Sequence, residues 1–434
     1  MAASSGKRGG GERTAGTHEP EAGVRAAGRL RSRVGRTRWI ALWCAAAVGT
    51  IGLVVACDDD DDGGPTEPSP QLIAEGQQIF RFDTFGDETF WTDTLRMHEV
   101  VQGVPPTTAL AVGLKVDADT LPPEVLQAIQ AGQVDLTDPA TTVTLLKLGA
   151  VVGLKATVDA NNQITQLGIT CALCHSTVDD RVTRGIGSRR DGWPNLDLNP
   201  GAIVALSPAL TDAQKAVYNS WGAGRYDARY NFDGLNGPTV IPPAYGLRGV
   251  NSITFTGDGP DPAYWNRYVG VTQMHGHGSF AEPRLNINVQ NPPDDIGAKL
   301  PALQAYQLSL NAPKAPAGSF DVAAAERGRA VFAGAGKCAD CHAGSLLTDA
   351  NTRLHAPSEV VSEPEPDGAP SAAARSATKM YRTTPLRALQ LHAPYFHNGI
   401  APTLEAVVEL YDSRKGLGLT AQQKADLVEY LKSL

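Results

Sequence analysis

The most constraining feature of the chain is a pentapeptide pattern that occurs twice: Cys171-Ala172-Leu173-Cys174-His175 and Cys338-Ala339-Asp340-Cys341-His342. Cys-x-x-Cys-His is the attachment signature of a c-type haem. Two thiols three positions apart on one helical turn can add across the two vinyl groups of a porphyrin. The histidine that follows leaves the same turn to ligate the iron. A lone Cys-x-x-Cys also suits a redox dithiol or half a zinc site. Here 163 residues separate Cys174 from Cys338 and a histidine follows each pair, which favours two covalent haems.

The two remaining cysteines, Cys44 and Cys57, belong to the leader. Residues 1–38 carry nine Lys or Arg and three Glu, a net of +6, so the chain's −8 leaves −14 for the rest. Trp39 to Ala56 is an 18-residue run without charge. A basic leader before such a run reads as an export signal, with an uncleaved anchor or ordinary secretion as the alternatives to lipoprotein processing. Val54-Val55-Ala56-Cys57 resembles a bacterial lipobox, which makes Cys57 the expected lipidation site. Residues 58–69, with Asp58 to Asp62 and then a Pro/Gly stretch, read as a solvated tether. The expected location is therefore periplasmic, on a membrane-anchored lipoprotein. The acidic balance argues against nucleic acid as a partner and for a basic redox partner.

The chain also repeats itself around the two motifs. Ala325-Glu326-Arg327-Gly328-Arg329-Ala330-Val331-Phe332 precedes the second motif, and Ala74-Glu75-Gly76-Gln77-Gln78-Ile79-Phe80 stands near the mature N-terminus; both end in Gly-x-x-apolar-Phe. After the second motif, Thr384-Pro385-Leu386-Arg387 is echoed in the first half by Pro242-Pro243-Ala244-Tyr245-Gly246-Leu247-Arg248. The expected fold is mainly α: two class I cytochrome c-like haem domains, 70–312 and 319–434. The first carries a large insertion (80–165) with helix-like stretches at Pro122–Ala131 and Thr141–Leu154. Thr403 is expected to cap a helix through Tyr411, and Thr420 with Gln423 to open a last helix that crosses Val322–Phe332. Ala356–Ala374 reads as a flexible surface loop, and Arg189–Asn195 as a polar turn that either approaches a haem edge or propionates or is a plain surface loop.

Arg382-Thr383-Thr384-Pro385-Leu386-Arg387, then Ala393-Pro394-Tyr395-Phe396-His397-Asn398-Gly399 and Thr403-Leu404-Glu405, resembles the bacterial dihaem cytochrome c peroxidases and the MauG-type enzymes. The resemblance implies one electron-transferring haem and one with an openable distal face for peroxide. It places the distal ligand of the C-terminal haem at Tyr411, with Met380 as rival. A phenolate there would lower the potential and a Met raise it. For the N-terminal haem the candidates are Met274, His275 and His277, the histidines also as acid/base groups. Thr383 and Pro385 match carbonyl positions of an interdomain calcium, while Ile241 stands where the family has its calcium Asn. The family's interhaem Trp is replaced in Phe255-Thr256-Gly257-Asp258-Gly259, leaving Trp265 or Trp193 as substitutes. The expected function is that of an exported dihaem electron-transfer and redox protein, whose enzymatic form would reduce hydroperoxides at the His175 haem with electrons from the His342 haem. The alternatives are a purely electron-transferring dihaem cytochrome or a MauG-like oxidase acting through ferryl iron. A soluble cytochrome or cupredoxin is the expected redox partner.

Overall fold

The helix Pro70–Phe82 opens where Ser69 accepts a hydrogen bond from the Leu72 N–H and Pro70 takes the first helical position, where no N–H is needed. It buries Gly76, Ile79 and Phe80, which recur on one face. Helix Leu300–Ser309 crosses that face. A β-carbon on Gly76 would lie 1.9 Å from the Ala302 carbonyl oxygen, so only glycine allows this approach. Phe80 packs edge-on against Tyr306 at 5.5 Å.

The C-terminal half repeats this crossing. Asp321 caps helix Val322–Ala333 by accepting from Ala324 N–H, and helix Ala421–Lys432 starts in a capping box of Thr420 and Gln423. A β-carbon on Gly328 would lie 2.0 Å from the Asp426 carbonyl oxygen, and Phe332 meets Tyr430 edge-on at 5.2 Å. Each half therefore closes on one glycine, one phenylalanine and one tyrosine at matching helical positions. Sequence analysis found the opening helices but missed Leu300–Ser309 as the first half's clamp.

The computed structural model describes residues 67–434. The leader, Cys44, the lipobox with Cys57 and the tether up to residue 66 lie outside the described residues. Helices dominate, joined by two-stranded β pairs of two to six residues that form no separate layer. Helix Pro139–Lys147 stops short of the expected Leu154. Gly149 turns the chain at φ +66°, and Leu154–Val158 pairs antiparallel with Ile164–Ile169 instead. This hairpin delivers the chain to Cys171. The insertion builds its own core from Trp91, Met97, Val116, Leu146 and Val151. It stays tied to the first half through Trp91, whose Nε1 donates to the Met274 carbonyl at 3.1 Å.

Candidate haem sites

Cys338–Asp340 form a single tight turn, entered through Lys337 at φ +52°. His342 follows, and its Nδ1 lies 3.1 Å from the Leu347 carbonyl oxygen. A carbonyl only accepts, so Nδ1 carries the hydrogen and Nε2 keeps its lone pair free for a metal. Burial lowers the His342 pKa, opposed by that hydrogen bond, and pushes the Cys338 thiol up to about 11. The turn opens onto a cavity of ≈ 680 Å³ lined by Cys338, Cys341, His342, Tyr411, Arg382 and Arg387, among others. That volume falls in the rough range of 300–1,000 Å³ for cofactor sites.

The two arginines test whether a haem fits. The Nε groups of Arg382 and Arg387 are buried without a hydrogen-bond partner, and neither guanidinium has a carboxylate partner among the described residues. Burial pushes Arg382 down to about 10. Uncompensated buried cations are costly, and two carboxylates would satisfy them. Haem propionates are such a pair, so thiols, free Nε2 and cations together suit haem c.

Tyr411 lies on the cavity wall in helix Leu404–Lys415. Burial, with the nearby Cys338 and Cys341, keeps its phenol protonated well above the ordinary range. Met380 is not among the residues lining this cavity. Thr383 and Pro385 do line it, and the Thr383 carbonyl accepts from Thr348 Oγ1 at 2.5 Å. Cys341, Asp349 and His355 bring ligating atoms within 4.8 Å of one another. Cys341 belongs to the attachment turn, however, and Asp349 already pairs with His355 at 3.1 Å. That group therefore buttresses the turn. Of Ala356–Ala374, expected as a surface loop, Ser358 to Ser362 also line the cavity, while Glu359, Pro364, Pro366 and Ala374 are exposed. Val361 and Ser362 are buried, and Glu365 reaches His397 at 2.5 Å. Two of the three glutamates in this stretch find buried partners, Tyr381 for Glu363 and His397 for Glu365, while Glu359 stays exposed and pairs with Arg353.

At the first motif, Cys171 leads into the single helical turn Ala172–His175. His175 Nδ1 lies 3.1 Å from the Pro242 carbonyl oxygen, so Nε2 is again the free nitrogen. Burial pushes Cys171 and Cys174 up to about 12 and His175 down to about 4. The backbone of 192–195 braces the turn, with Gly192 N–H donating to the His175 carbonyl and Asn195 N–H to that of Cys174. Met274 is buried in the cluster against which Cys171 packs. His275 stacks on Phe90 at 3.6 Å and is pushed down to about 4 by burial. His277 Nδ1 pairs with Asp295 at 2.8 Å. Neither ring hydrogen-bonds or stacks with the first motif.

Sequence reasoning missed Tyr226, which lies near Cys174 and whose hydroxyl donates to Gln273 Oε1 at 2.9 Å; no local pattern marks it. Trp265 stacks on Tyr268 at 4.7 Å, under Arg229. Trp193 lies under Arg190 and edge-on to Tyr245 at 6.3 Å. Pro194, Pro242 and Tyr245 all line the second cavity, so the segments that brace the first turn also wall the second site.

Comparison with known proteins agrees with this geometry. Residues 325–434 match the family described as Cytochrome c. The chain is 31% identical over 140 residues to cytochrome-c peroxidase IdrP2 of Denitromonas iodatirespirans, covering 25% of this chain and 38% of that protein. It is 29% identical over 296 residues to methylamine utilization protein MauG of Methylorubrum extorquens, covering 61% of this chain and 72% of that one. A solved structure of a MauG-like protein associated with microbial copper homeostasis aligns at 20% identity over 46% of this chain and 74% of that chain, with a TM-score of 0.32. The alignments to the peroxidases IdrP2 and IdrP1 of Denitromonas iodatirespirans span 38% and 40% of those proteins. Helices, turn, cavity and sequence agree on one descent: the chain is a distant homologue of the dihaem cytochrome c peroxidases and MauG, with a cytochrome c domain at its C-terminus.

Proposed function

We propose that this chain is an exported dihaem redox protein that reduces hydroperoxides at its first haem site with electrons delivered through its second. The observation that carries the reading is the duplication: two Cys-x-x-Cys-His turns, each with the histidine Nδ1 held by a backbone carbonyl. Haem iron, when bound, supplies the redox centre and the place where a peroxide oxygen is reduced. The chain's own residues supply the rest. His175 and His342 present Nε2 in a fixed orientation, and the carbonyl bonds raise their basicity as ligands. Arg382 and Arg387 neutralise propionate charge, and Tyr411 is the sixth-ligand candidate at the second site. At the first site Tyr226 and Gln273 form a polar pair beside Cys174. His275, kept neutral by burial, and His277, beside Asp295, are the proton-handling candidates. The leader and lipobox support a periplasmic lipoprotein anchored at Cys57, and the net −14 beyond the leader supports a basic electron donor.

Electron paramagnetic resonance of the diferric protein tests the reading. One high-spin and one low-spin haem, with a spectral change on adding peroxide after one-electron reduction, is the expected result. Two low-spin haems inert to peroxide would leave an electron-transfer cytochrome. A pyridine haemochrome giving anything but two haems per chain would overturn the dihaem assignment itself.

A further inference from the structure

Tyr245 comes from the first half and His392 from the second, and the Tyr245 hydroxyl lies 2.7 Å from His392 Nε2. Both line the second cavity. Tyr245 is 4% exposed. Burial keeps its phenol protonated and pushes His392 down to about 4, so at neutral pH a phenol faces an uncharged imidazole, whose Nδ1–H tautomer accepts the phenolic O–H at Nε2. Three residues earlier in the chain, the Pro242 carbonyl holds His175. Trp193 stands edge-on to the Tyr245 ring at 6.3 Å, next to Gly192, whose N–H donates to the His175 carbonyl. The phenol thus stands between the backbone that holds His175 and the cavity that holds His342.

A buried phenol that loses an electron and keeps its proton leaves an unpaired charge in a medium that solvates it poorly. Electron and proton must leave together, and a proton acceptor already sits within hydrogen-bond reach. Resting on the dihaem reading above, we propose that Tyr245 is a redox relay between the two haem sites, oxidised to a neutral radical as its phenolic proton passes to His392. The Tyr245 O–H bond breaks and an N–H bond forms at Nε2. One electron goes to the His175 site, oxidised by the hydroperoxide consumed there. One electron from the His342 site then refills the phenoxyl, and the proton returns from His392. The net result is one electron moved between sites and no proton consumed.

Freeze-quench electron paramagnetic resonance of the holoprotein tests this with two oxidants, hydrogen peroxide and photogenerated ruthenium(III) tris-bipyridine. The second does not depend on peroxide chemistry. The expected result with the ruthenium oxidant is a tyrosyl signal whose hyperfine structure collapses in protein grown on ring-deuterated tyrosine. That signal is lost in Tyr245→Phe and diminished in His392→Gln, which keeps an acceptor oxygen but no proton-accepting nitrogen. Where Tyr245→Phe fails to load both haems, 3,5-difluorotyrosine placed at position 245 must change the hyperfine pattern instead. No tyrosyl signal in the parent protein, or the same signal in the position-245 variant, overturns the relay. A relay signal under ruthenium, with no response to peroxide at either haem, would sink the peroxide reading and leave the relay standing.

Discussion

His175 donates from Nδ1 to the Pro242 carbonyl across 3.1 Å, and Pro242 is also part of the wall of the cavity that His342 enters. One backbone group therefore fixes the first ligand's tautomer and shapes the second site. The arrangement follows from the Pro242–Arg248 segment running between the two halves. Pro242 and Pro243 have no N–H to donate, which keeps this stretch out of a continuous ladder.

The cysteine pairs make the simplest prediction. Cys171→Ser with Cys174→Ser, and Cys338→Ser with Cys341→Ser, are each expected to leave one covalent haem, against the two proposed for the parent. Haemochrome quantitation and the mass of the purified chain measure this directly. Two haems in either double variant would remove that pair from the assignment.

Arg387→Gln removes a cation of the second cavity that has no ion-pair partner among the described residues. Loss of positive charge beside the propionates favours the ferric form. The midpoint potential of the second haem should fall by some tens of mV, where ~59 mV is a tenfold shift for one electron. A redox titration showing a rise or no change would place the propionates elsewhere.

Tyr411→Phe keeps the ring of this cavity-lining residue in helix Leu404–Lys415 and removes only its hydroxyl. If the phenolate is the sixth ligand, the ferric second haem loses its low-spin signal and its potential rises, because a negative ligand has left the iron. An unchanged spectrum and potential assign Tyr411 to the packing of the cavity wall and return the ligand question to the rest of the wall.

How much of this was legible in the sequence depends on how local each determinant is. The attachment turns, the caps at Asp321, Thr403 and Thr420, and the Gly76/Phe80 and Gly328/Phe332 spacing are written within a few residues of one another. Helix Leu300–Ser309 was missed because it is apolar on most sides, with Ala302, Leu303, Ala305 and Tyr306 all buried, so it shows no amphipathic period. Within the surface stretch 356–374, Glu363 and Glu365 look solvated until Tyr381 and His397 are brought to them from later in the chain. Tyr226 beside Cys174, and Tyr245 on His392, are pairs separated by about 50 and 147 residues, a distance over which periodicity carries no information.

Asp87 is fully buried and pushed up to about 9 by desolvation, although the Ile169 N–H donates to its carboxylate. The folded state therefore holds a proton that the unfolded chain releases near its ordinary 3.8. Stability from this group is full below that value and is lost as pH rises toward 9, by up to about 1.4 kcal/mol per pH unit. Asp87→Asn keeps an acceptor for Ile169 and removes the slope. Urea unfolding at about pH 5 and about pH 8 should show the variant gaining on the parent as pH rises. A constant difference across that window would mean that Asp87 is ionised in the folded protein.

The matched helix crossings predict matched costs. In Gly76→Ala the new methyl would meet the Ala302 carbonyl oxygen at 1.9 Å, and in Gly328→Ala the Asp426 carbonyl oxygen at 2.0 Å. Neither contact is with the end of a flexible side chain, so each helix pair must separate. Separation also loosens Phe80 against Tyr306 in one half and Phe332 against Tyr430 in the other. Each variant should lose about 1–3 kcal/mol of stability, the usual cost of overpacking a tight contact. Alanine's better helix propensity offsets only about 1 kcal/mol of that. Denaturant midpoints measured on both variants check the claim. Because Phe332 also lines the second cavity, Gly328→Ala should broaden the second haem's spectrum and leave the first unchanged. If one glycine tolerates alanine and the other does not, the two halves do not share the interface that their sequences repeat.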